Sequence, residues 1–501
     1  MTFFTRQFLF LHLVILASAF AWIHGGTRPD LLLPVIPWLA GFTLEALLVF
    51  PQAKSTESLM EARRRVWRGL VRDPLLYLSL LLILCLVIPL FNVAGYPTYN
   101  PETKTWLNAI PPISFLPFCV NPSEHASLLL WFPPALIAAL AAKHGLLKKS
   151  KRLLLECLCW NGALLALLGF LQLATDAKSI FWGDQPFSHF FSTFGYPNFA
   201  GAFFTLLFAL STGLWFSRLG EHWMGPAAAV NHETSVFDER TIFESNYLLA
   251  AVLLNFAGAF ASLSRAAILL CGVAALVLSA YIVIAAWQKT MSGGHMVILT
   301  ILFGALFIMG LTLTVFAPKA LKHEVATITP KAVVERVTGS AYYHARIARE
   351  IFNDHPVFGV GGWGYPHYLV QYLTPEETKR MQIEGGANVH NDSLQFLAEQ
   401  GMVGYGLLLL CASALIFPLL WKTLAMSREL AKAELSSGGQ AKPRWIYRLP
   451  PEIIAIVVGT TATVCHSMGD LPFRNPAILT VWVLAWSCAT GFLPKLRRKS
   501  E

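Results

Sequence analysis

A histidine and three arginines in the sequence have the surroundings of a site for acid–base chemistry and anion binding. His390 lies in NVHNDSLQF, and an imidazole with an ordinary pKa near 6.5 can accept a proton from a sugar hydroxyl at neutral pH. Arg346 and Arg349 are three residues apart in AYYHARIAREIFN, so on a helix they share one face and can hold adjacent phosphates. With Arg265, they would stabilise a departing anion.

Arg265 lies in ASLSRAAILL, where only a minimal turn separates the apolar blocks 246–263 and 266–286. A charged side chain costs about 2.5 to 3.5 kcal/mol at the centre of a membrane helix, and less near the interface. An interfacial arginine can extend its charge to the headgroups and help to end the helix. A receptor for a lipid phosphate or diphosphate would use the same position. Position alone leaves both interpretations open.

Each of these basic residues also has an interpretation without function. His390 stands beside capping residues, where a loop histidine is often structural or merely solvated. Arg346 and Arg349 can form a solvated basic face, or pair with Glu335 and Glu350, an arrangement worth little when it is exposed.

The segment Gly359–Gly364 matches the nucleotide-binding pattern G-x-G-x-x-G literally, but no βαβ unit surrounds it. Tight turns beside Trp363 and Tyr365 explain the glycines better. These two aromatic residues can stack on a sugar or lie at the lipid interface. The position at the lipid interface is the simpler interpretation.

A second polar cluster lies in HSMGDLPFRNPAIL. Asp470 and Arg474 occupy a short turn there and can pair with each other, whereas His466 precedes them in an apolar helix. No H-E-x-x-H or other zinc spacing occurs among the fourteen histidines, and no D-x-D pattern marks a metal-dependent sugar transferase. The sequence therefore predicts no metal and no cofactor.

The composition fixes the environment in which these residues act. The chain has 501 residues, 55% hydrophobic and 13% charged, against roughly 25% charged in a soluble domain. The net charge of +9 comes from short basic runs between apolar blocks, which indicates membrane topology and argues against a nucleic-acid partner. The eight cysteines lie mostly in apolar stretches and form no disulfide framework. These counts exclude an ordinary soluble enzyme.

The apolar blocks predict an all-α, polytopic membrane protein with about twelve transmembrane helices. Their approximate spans are 7–24, 30–50, 75–95, 126–143, 152–175, 198–217, 246–263, 266–286, 296–317, 401–421, 452–468 and 476–493.

Lysine and arginine collect in alternate connections, which predicts that both termini are cytoplasmic. The basic residues that set this orientation are Arg63, Arg64, Arg65, Arg68, Arg72, Lys148, Lys149, Lys151, Arg152, Arg444, Arg448, Lys495, Arg497, Arg498 and Lys499. Ala17-Ser18-Ala19 resembles a signal-peptidase site, but the first apolar stretch is long for a signal peptide and another span follows closely.

The chain divides into helices 1–9 in residues 1–317, a large outer loop in 318–400, and helices 10–12 with a basic tail in 401–501. Loops of this length are usually folded and functional. An amphipathic helix is predicted over 341–353. Asn391 or Asp392 is predicted to cap a second short helix that stops at Gly401.

Four segments resemble the O-antigen ligase and polymerase superfamily of bacterial membrane glycan transferases. They are FGYPNFAGAFF (194–204), SLSRAAILL (262–270), the outer loop with RIAREIFNDHPVFGVGGWGY (346–365) leading to HNDSLQFLAEQG (390–401), and GDLPFRNPA (469–477). The stretch H-N-D-x-L-Q followed by E-x-G is the most specific of them.

The resemblance implies a GT-C-like fold, a glycan donor on undecaprenyl diphosphate and transfer without a metal. By motif position, Arg265 matches the family arginine facing the lipid diphosphate, Arg346 the loop arginine and His390 the essential histidine. Arg349 or Arg336 can exchange roles with Arg346 under a different alignment. The expected substrate-binding residues are Arg349, Asn198, Asn391, Asp470 and Arg474.

The resemblance thus implies an inverting, metal-independent glycosyltransferase in the bacterial inner membrane, with its active site facing the periplasm. It joins a lipid-carried glycan to an acceptor hydroxyl, with lipid A-core as the first candidate in lipopolysaccharide biosynthesis. A polymerase using a second repeat unit and a protein O-oligosaccharyltransferase are alternatives within the superfamily. A multi-helix transporter of a lipid-linked sugar or anion is the alternative from another class, although its charges would lie deeper in the helices.

Overall fold

The computed structural model of the protein describes residues 3–183, 189–224, 239–288, 340–384, 388–436 and 449–493. Helices dominate these residues, and one short β-hairpin joins β1 (Thr98–Asn100) to β2 (Thr105–Leu107). The helices are α1 (Phe3–Trp22), α2 (Pro29–Leu32), α3 (Ile36–Val49), α4 (Leu59–Leu70), α5 (Pro74–Val87), α6 (Pro122–Ala126), α7 (Phe132–Leu140), α8 (Lys148–Ala174), α9 (Pro197–Met224), α10 (Glu239–Ala261), α11 (Arg265–Gln288), α12 (Ser340–Asp354), α13 (Tyr365–Leu369), α14 (Pro375–Glu384), α15 (Asp392–Ser436), α16 (Pro451–Ser467) and α17 (Pro476–Ala489).

Several of these helices are suited to a bilayer. In the part of the chain that the structure describes, six helical segments are long and apolar enough to cross a membrane: Pro74–Phe91, Pro122–Gly145, Lys148–Ala174, Pro197–Arg218, Arg265–Ile284 and Asp392–Glu429. Shorter apolar helices are Gln7–Trp22, Ile36–Val49, Tyr247–Ala261, Pro451–Ser467 and Pro476–Ala489.

These helices confirm a helical, polytopic architecture. Every predicted span except 296–317 coincides with one of them, and that span lies outside the described residues. Arg444, Arg448 and the basic tail also lie outside the described residues. The number of crossings, the GT-C-like arrangement and the division at residues 317 and 400 stay predictions.

The centre of the bundle is formed by α9 and α17. Helix α9 packs most extensively against α10 and α16, and also contacts α8 and α11. Every residue of α17 is buried, and this helix contacts α7, α1 and α15. The surfaces of α5, α11 and α15 are instead largely exposed and apolar, as expected of helices that face lipid.

At one end of the bundle, residues 340–384 and 388–400 form a folded cap with its own apolar core. Tyr343, Ile347 and Ile351 of α12 pack with Tyr365 and Tyr368 of α13. Val389 and Ala398 join this cluster from the segment around α15, and Phe118 joins it from the loop after the hairpin. Helix α12 confirms the amphipathic helix predicted over 341–353, because its Ile347 and Ile351 face this core.

Glycines fix the join between the cap and the bundle. Gly359 and Gly361 have φ of +68° and +81°, and a Cβ at Gly361 would approach the backbone of Cys119. The backbone N–H groups of Val360 and Gly361 donate to the carbonyls of Ala398 and Glu399. The pattern G-x-G-x-x-G is therefore a tight turn packed on α15, as predicted.

Gly401 breaks α15 into two helical segments. Its φ is +60°, and a Cβ there would collide with the backbone of Val357. The N–H groups of Met402 and Val403 donate to the carbonyls of Pro356 and Val357, so they leave the regular helical ladder. The predicted stop at Gly401 is confirmed as a kink, after which the helix continues as an apolar span.

Candidate active site

His390 and Asp470 face each other at the cap end of the bundle. His390 directly precedes α15, and Asp470 lies in the turn between α16 and α17. The Nδ1 atom of His390 is 3.8 Å from Oδ1 of Asp470, which is within ion-pair range but longer than a hydrogen bond. Catalytic contacts of this kind often tighten only when substrate binds.

The exposure of this pair suits acid–base chemistry. The His390 side chain is 37% exposed, whereas the Asp470 side chain is 2% exposed. Nδ1 of His390 is itself buried, so the exposed part of the ring lies away from Asp470. A substrate hydroxyl can thus meet the ring from outside while a buried carboxylate supports it from behind.

Asp470 is held by a set of donors. Tyr196 donates its hydroxyl to Oδ2 at 2.8 Å, Asn198 donates its amide to the same oxygen, and the Leu471 N–H donates to Oδ1 at 2.8 Å. Burial raises the pKa of the Asp470 carboxyl, but the neighbouring His390, Tyr196 and His466 bring it below its ordinary value. Asp470 is therefore a carboxylate at neutral pH.

Asn198 links this carboxylate to the turn before Arg265. Its Oδ1 accepts a 2.6 Å hydrogen bond from the Ser264 hydroxyl, which also accepts the Ala267 N–H at the start of α11. Leu263 adopts φ of +61°, so α10 ends at Ala261 and α11 begins at Arg265. The minimal turn predicted beside Arg265 is confirmed.

Arg265 is exposed at the N-terminal end of a long apolar helix. The first turn of a helix carries a partial positive charge, which adds to that of the guanidinium. Arg265 and the helix end therefore form a positively charged site at the rim of the bundle, and Ser264 and Asn198 connect it to Asp470.

The approach of α9 to this turn depends on Gly201. A Cβ at Gly201 would collide with Ala267 and come within 2.9 Å of both Ser262 Oγ and Ser264 Cβ. Only glycine lets Asn198, one turn earlier on α9, reach Ser264. The segment FGYPNFAGAFF thus supplies both the polar contact and the close approach.

Asn391 and Asp392 fasten the His390 segment to the turn between α16 and α17. Asn391 caps α15 by accepting the Leu394 N–H at 3.0 Å, and its amide donates to the Met468 carbonyl at 3.1 Å. Asp392 accepts the Phe473 N–H at 2.8 Å. Of the two predicted caps, Asn391 is the one that binds the helix, and both residues hold His390 beside Asp470.

Arg474 forms a buried ion pair with Glu399. The two charged groups are 2.6 Å apart, and each side chain is only 1% exposed. The Arg474 guanidinium also lies over the rings of Trp363 and Phe396, at 4.9 and 4.7 Å from their centroids. Arg474 therefore pairs with Glu399 and not with Asp470, and its role in substrate binding stays a prediction.

The two loop arginines have different surroundings. Arg346 binds Glu350 with one amino group at 2.8 Å, and with the other it binds Glu377 at 2.6 Å and the Tyr372 carbonyl at 3.1 Å. Arg349 is exposed, and no ion pair joins it to another described residue. Arg346 thus ties α12 to α14, and Arg349 is the more accessible for an anion. Arg336 and Glu335 lie outside the described residues.

The sequence did not single out Tyr196, Ser264 or Glu399 as parts of this arrangement. Tyr196 and Ser264 lie inside the segments FGYPNFAGAFF and SLSRAAILL, Tyr196 two positions before Asn198 and Ser264 next to Arg265. Glu399 lies in the E-x-G that follows the histidine segment. Within the described ranges, no cluster of three or more His, Cys, Asp or Glu residues has the arrangement of a metal site.

Residues 250–409 match a family model described as O-antigen ligase. The matched region contains Arg265, Arg346, Arg349, His390 and Asn391, and Asn198, Asp470 and Arg474 lie outside it. A search of curated proteins found no match. This match, over about a third of the chain, confirms the resemblance to the O-antigen ligase superfamily that the motifs indicated.

Proposed function

We propose that the protein transfers a glycan from undecaprenyl diphosphate to an acceptor hydroxyl at the periplasmic face of the inner membrane. Lipid A-core is the first candidate acceptor, and both termini are cytoplasmic. The observation that carries the proposal is the contact between the exposed His390 and the buried Asp470, which shares Asn198 with the turn before Arg265.

His390 acts as the general base. It accepts the proton of the acceptor hydroxyl while the hydroxyl oxygen attacks the anomeric carbon of the donor sugar. The imidazole becomes a cation in this step, and the Asp470 carboxylate stabilises it at ion-pair distance. Direct attack forms the new glycosidic bond as the old bond to the diphosphate breaks, so the anomeric centre is inverted.

Arg265 receives the leaving group. As the sugar–phosphate bond breaks, negative charge accumulates on the diphosphate, and the guanidinium and the N-terminal end of α11 stabilise it. Arg349 is the accessible second arginine for the same anion. The undecaprenyl tail stays in lipid against the exposed apolar face of α11.

Reconstitution with purified protein tests the proposal. The donor is an undecaprenyl-diphosphate glycan, and the three acceptors, tested separately, are lipid A-core, a second lipid-linked repeat unit and a protein with serine and threonine residues. We expect one product in the presence of chelator, with the acceptor identifying the branch of the superfamily. No product with any acceptor from folded protein would favour the transporter.

His390→Ala is expected to abolish transfer while the protein stays inserted. His12→Ala is the matched control, because the His12 imidazole hydrogen-bonds the Phe8 carbonyl one turn away within α1 and packs on the rings of Phe8 and Phe42. Normal transfer by His390→Ala would disprove the general base.

Arg265→Lys keeps the positive charge but loses the planar guanidinium with its two parallel N–H groups. We therefore expect the variant to use the undecaprenyl-diphosphate glycan less well. Unchanged transfer with lysine would show that a point charge suffices.

A further inference from the structure

A cavity lies at the cap end of the bundle, and neither His390 nor Asp470 lines it. Its volume is about 360 Å³, within the roughly 300–1,000 Å³ typical of small-ligand sites. The residues that line it include Trp131, Trp363, Glu124, His367, Ser127 and Thr27.

The lining combines aromatic rings with hydroxyl and carboxylate groups. The indoles of Trp131 and Trp363 meet edge to face, with ring centroids 5.7 Å apart. The Glu124 carboxylate lies 2.7 Å from Nε2 of His367, and both side chains are partly exposed. Indole faces bind the C–H face of a sugar ring, and carboxylate and hydroxyl oxygens bind its hydroxyl groups.

The charge of this cavity differs from that of the Arg265 site. Glu124 contributes a carboxylate, and none of the described residues that line the cavity is lysine or arginine. A phosphate would be repelled by Glu124 and would find no guanidinium there. The cavity is therefore suited to a neutral sugar and not to the diphosphate.

Trp363 is fixed more firmly than a surface aromatic residue requires. Its φ is +58°, a conformation that is strained for a bulky residue. Its backbone N–H donates to Glu399 at 3.1 Å, its indole N–H donates to Ser127 at 3.0 Å, and Arg474 lies over its ring. Strained residues held from several sides are concentrated at binding sites.

The same contacts connect the cavity with the candidate active site. Arg474, which lies over Trp363, belongs to the turn that carries Asp470. Glu399, which holds both Arg474 and Trp363, lies on the helix that begins beside His390. The Trp363 ring is thus held by the two segments that also hold His390, namely the turn that carries Asp470 and the first part of α15.

We propose that this cavity is a sugar-binding subsite for a neutral ring of one of the two glycan substrates. The inference rests on the proposed function, since it assigns the subsite to a substrate of that reaction. The partly exposed Trp363 contacts the face of the ring, and the buried Trp131 supports it edge to face. Glu124, with Ser127 beside it, accepts hydrogen bonds from the hydroxyl groups.

Calorimetric titration of the full-length protein in nanodiscs tests the subsite without turnover. The two probes are the core oligosaccharide freed from lipid A and the glycan freed from its diphosphate carrier, which distinguish acceptor from donor. We expect one probe to bind, with Glu124→Gln and Trp131→Phe each raising its Kd at least tenfold. Glu102→Gln, in the exposed hairpin, is the matched control.

Steady-state kinetics complete the test. Glu124→Gln is expected to raise KM for the corresponding substrate about tenfold and to change kcat less than twofold. Equal Kd and KM in the wild type and both cavity variants, or no binding of either probe, would overturn the subsite even with normal transfer. His390→Ala should lose transfer yet keep the probe affinity, so a failure of the proposed base is distinguished from a failure of the subsite.

Discussion

The Ser264 hydroxyl donates a 2.6 Å hydrogen bond to Oδ1 of Asn198. The Asn198 amide in turn donates to Asp470, so one side chain spans the two halves of the candidate site. Acid–base chemistry at His390 and anion binding at Arg265 are proposed for opposite ends of this bridge. Their relative position therefore depends on a residue for which we propose no direct role in the chemistry.

Asn198→Ala is expected to lower kcat/KM by at least tenfold, because it frees the Arg265 turn from Asp470. The melting temperature in detergent should change little, since the site is partly exposed at this point. Asn161→Ala removes a hydrogen bond of similar length, to the Trp22 indole, and is the control. Equal transfer by the two variants would contradict the bridge.

Asp470→Asn keeps the shape of the side chain but removes the charge behind His390. We expect kcat to fall by about 10²–10⁴-fold, the range that positioned acid–base groups contribute. The protein should stay inserted, because the amide oxygen can still accept the Leu471 N–H and the amide NH2 group can donate to the Tyr196 hydroxyl oxygen. A kcat within threefold of the wild type would remove Asp470 from the mechanism.

The pKa of Asp470 also predicts how stability depends on pH. Burial raises this pKa, but the bonds and charges around it lower it below its ordinary value of 3.8. The stabilisation by the carboxylate is complete above that value and is lost as the pH falls through the folded pKa. Melting curves should show that the wild type loses stability relative to Asp470→Asn below about pH 4. A constant difference between pH 7 and pH 3 would contradict this.

Gly201→Ala is expected to displace the Arg265 turn, because the new Cβ would collide with Ala267. Overpacking of this kind costs about 1–3 kcal/mol, and the shift should weaken transfer as well. Gly272→Ala on α11 is the matched control, since no atom lies within 4 Å of its added Cβ. Gly201→Ala should lower both the transfer rate and the melting temperature, whereas Gly272→Ala should change neither. Identical values for the two variants would contradict the close approach of α9 to the Arg265 turn.

The sequence predicted the parts of this site but not all of their pairings. Hydrophobic periodicity and length fix where a membrane helix forms, so the spans and the kink at Gly401 could be read from single segments. His390 and Arg265 stood out because charge beside apolar runs is costly. Arg474 and Asp470 are only four residues apart, yet Arg474 pairs with Glu399, 75 positions away. Spacing along the chain does not show which distant carboxylate the fold brings within reach.

Variants of the buried Arg474–Glu399 ion pair test whether Arg474 stabilises the fold or binds substrate. Glu399→Gln leaves the Arg474 charge without its partner, which costs about 3–5 kcal/mol for a buried pair. We expect a large fall in melting temperature, partly restored in the double variant Glu399→Gln/Arg474→Gln, because neither charge then stays buried alone. A normal melting temperature together with a raised KM for the donor would instead assign Arg474 to substrate.

Arg346 and Arg349 make a matched pair, since both lie on α12 within one turn. Arg346→Ala removes the ion pairs to Glu350 and Glu377 and should loosen α14, which proteolysis of the cap would detect. Arg349→Ala removes an exposed charge, and we expect unchanged proteolysis but a KM for the diphosphate donor raised at least fivefold. High salt should reduce the difference in KM between the wild type and Arg349→Ala, because salt screens exposed charges. The reverse assignment, with Arg346→Ala raising KM in an intact cap, would show that Glu350 and Glu377 release Arg346 when the donor binds.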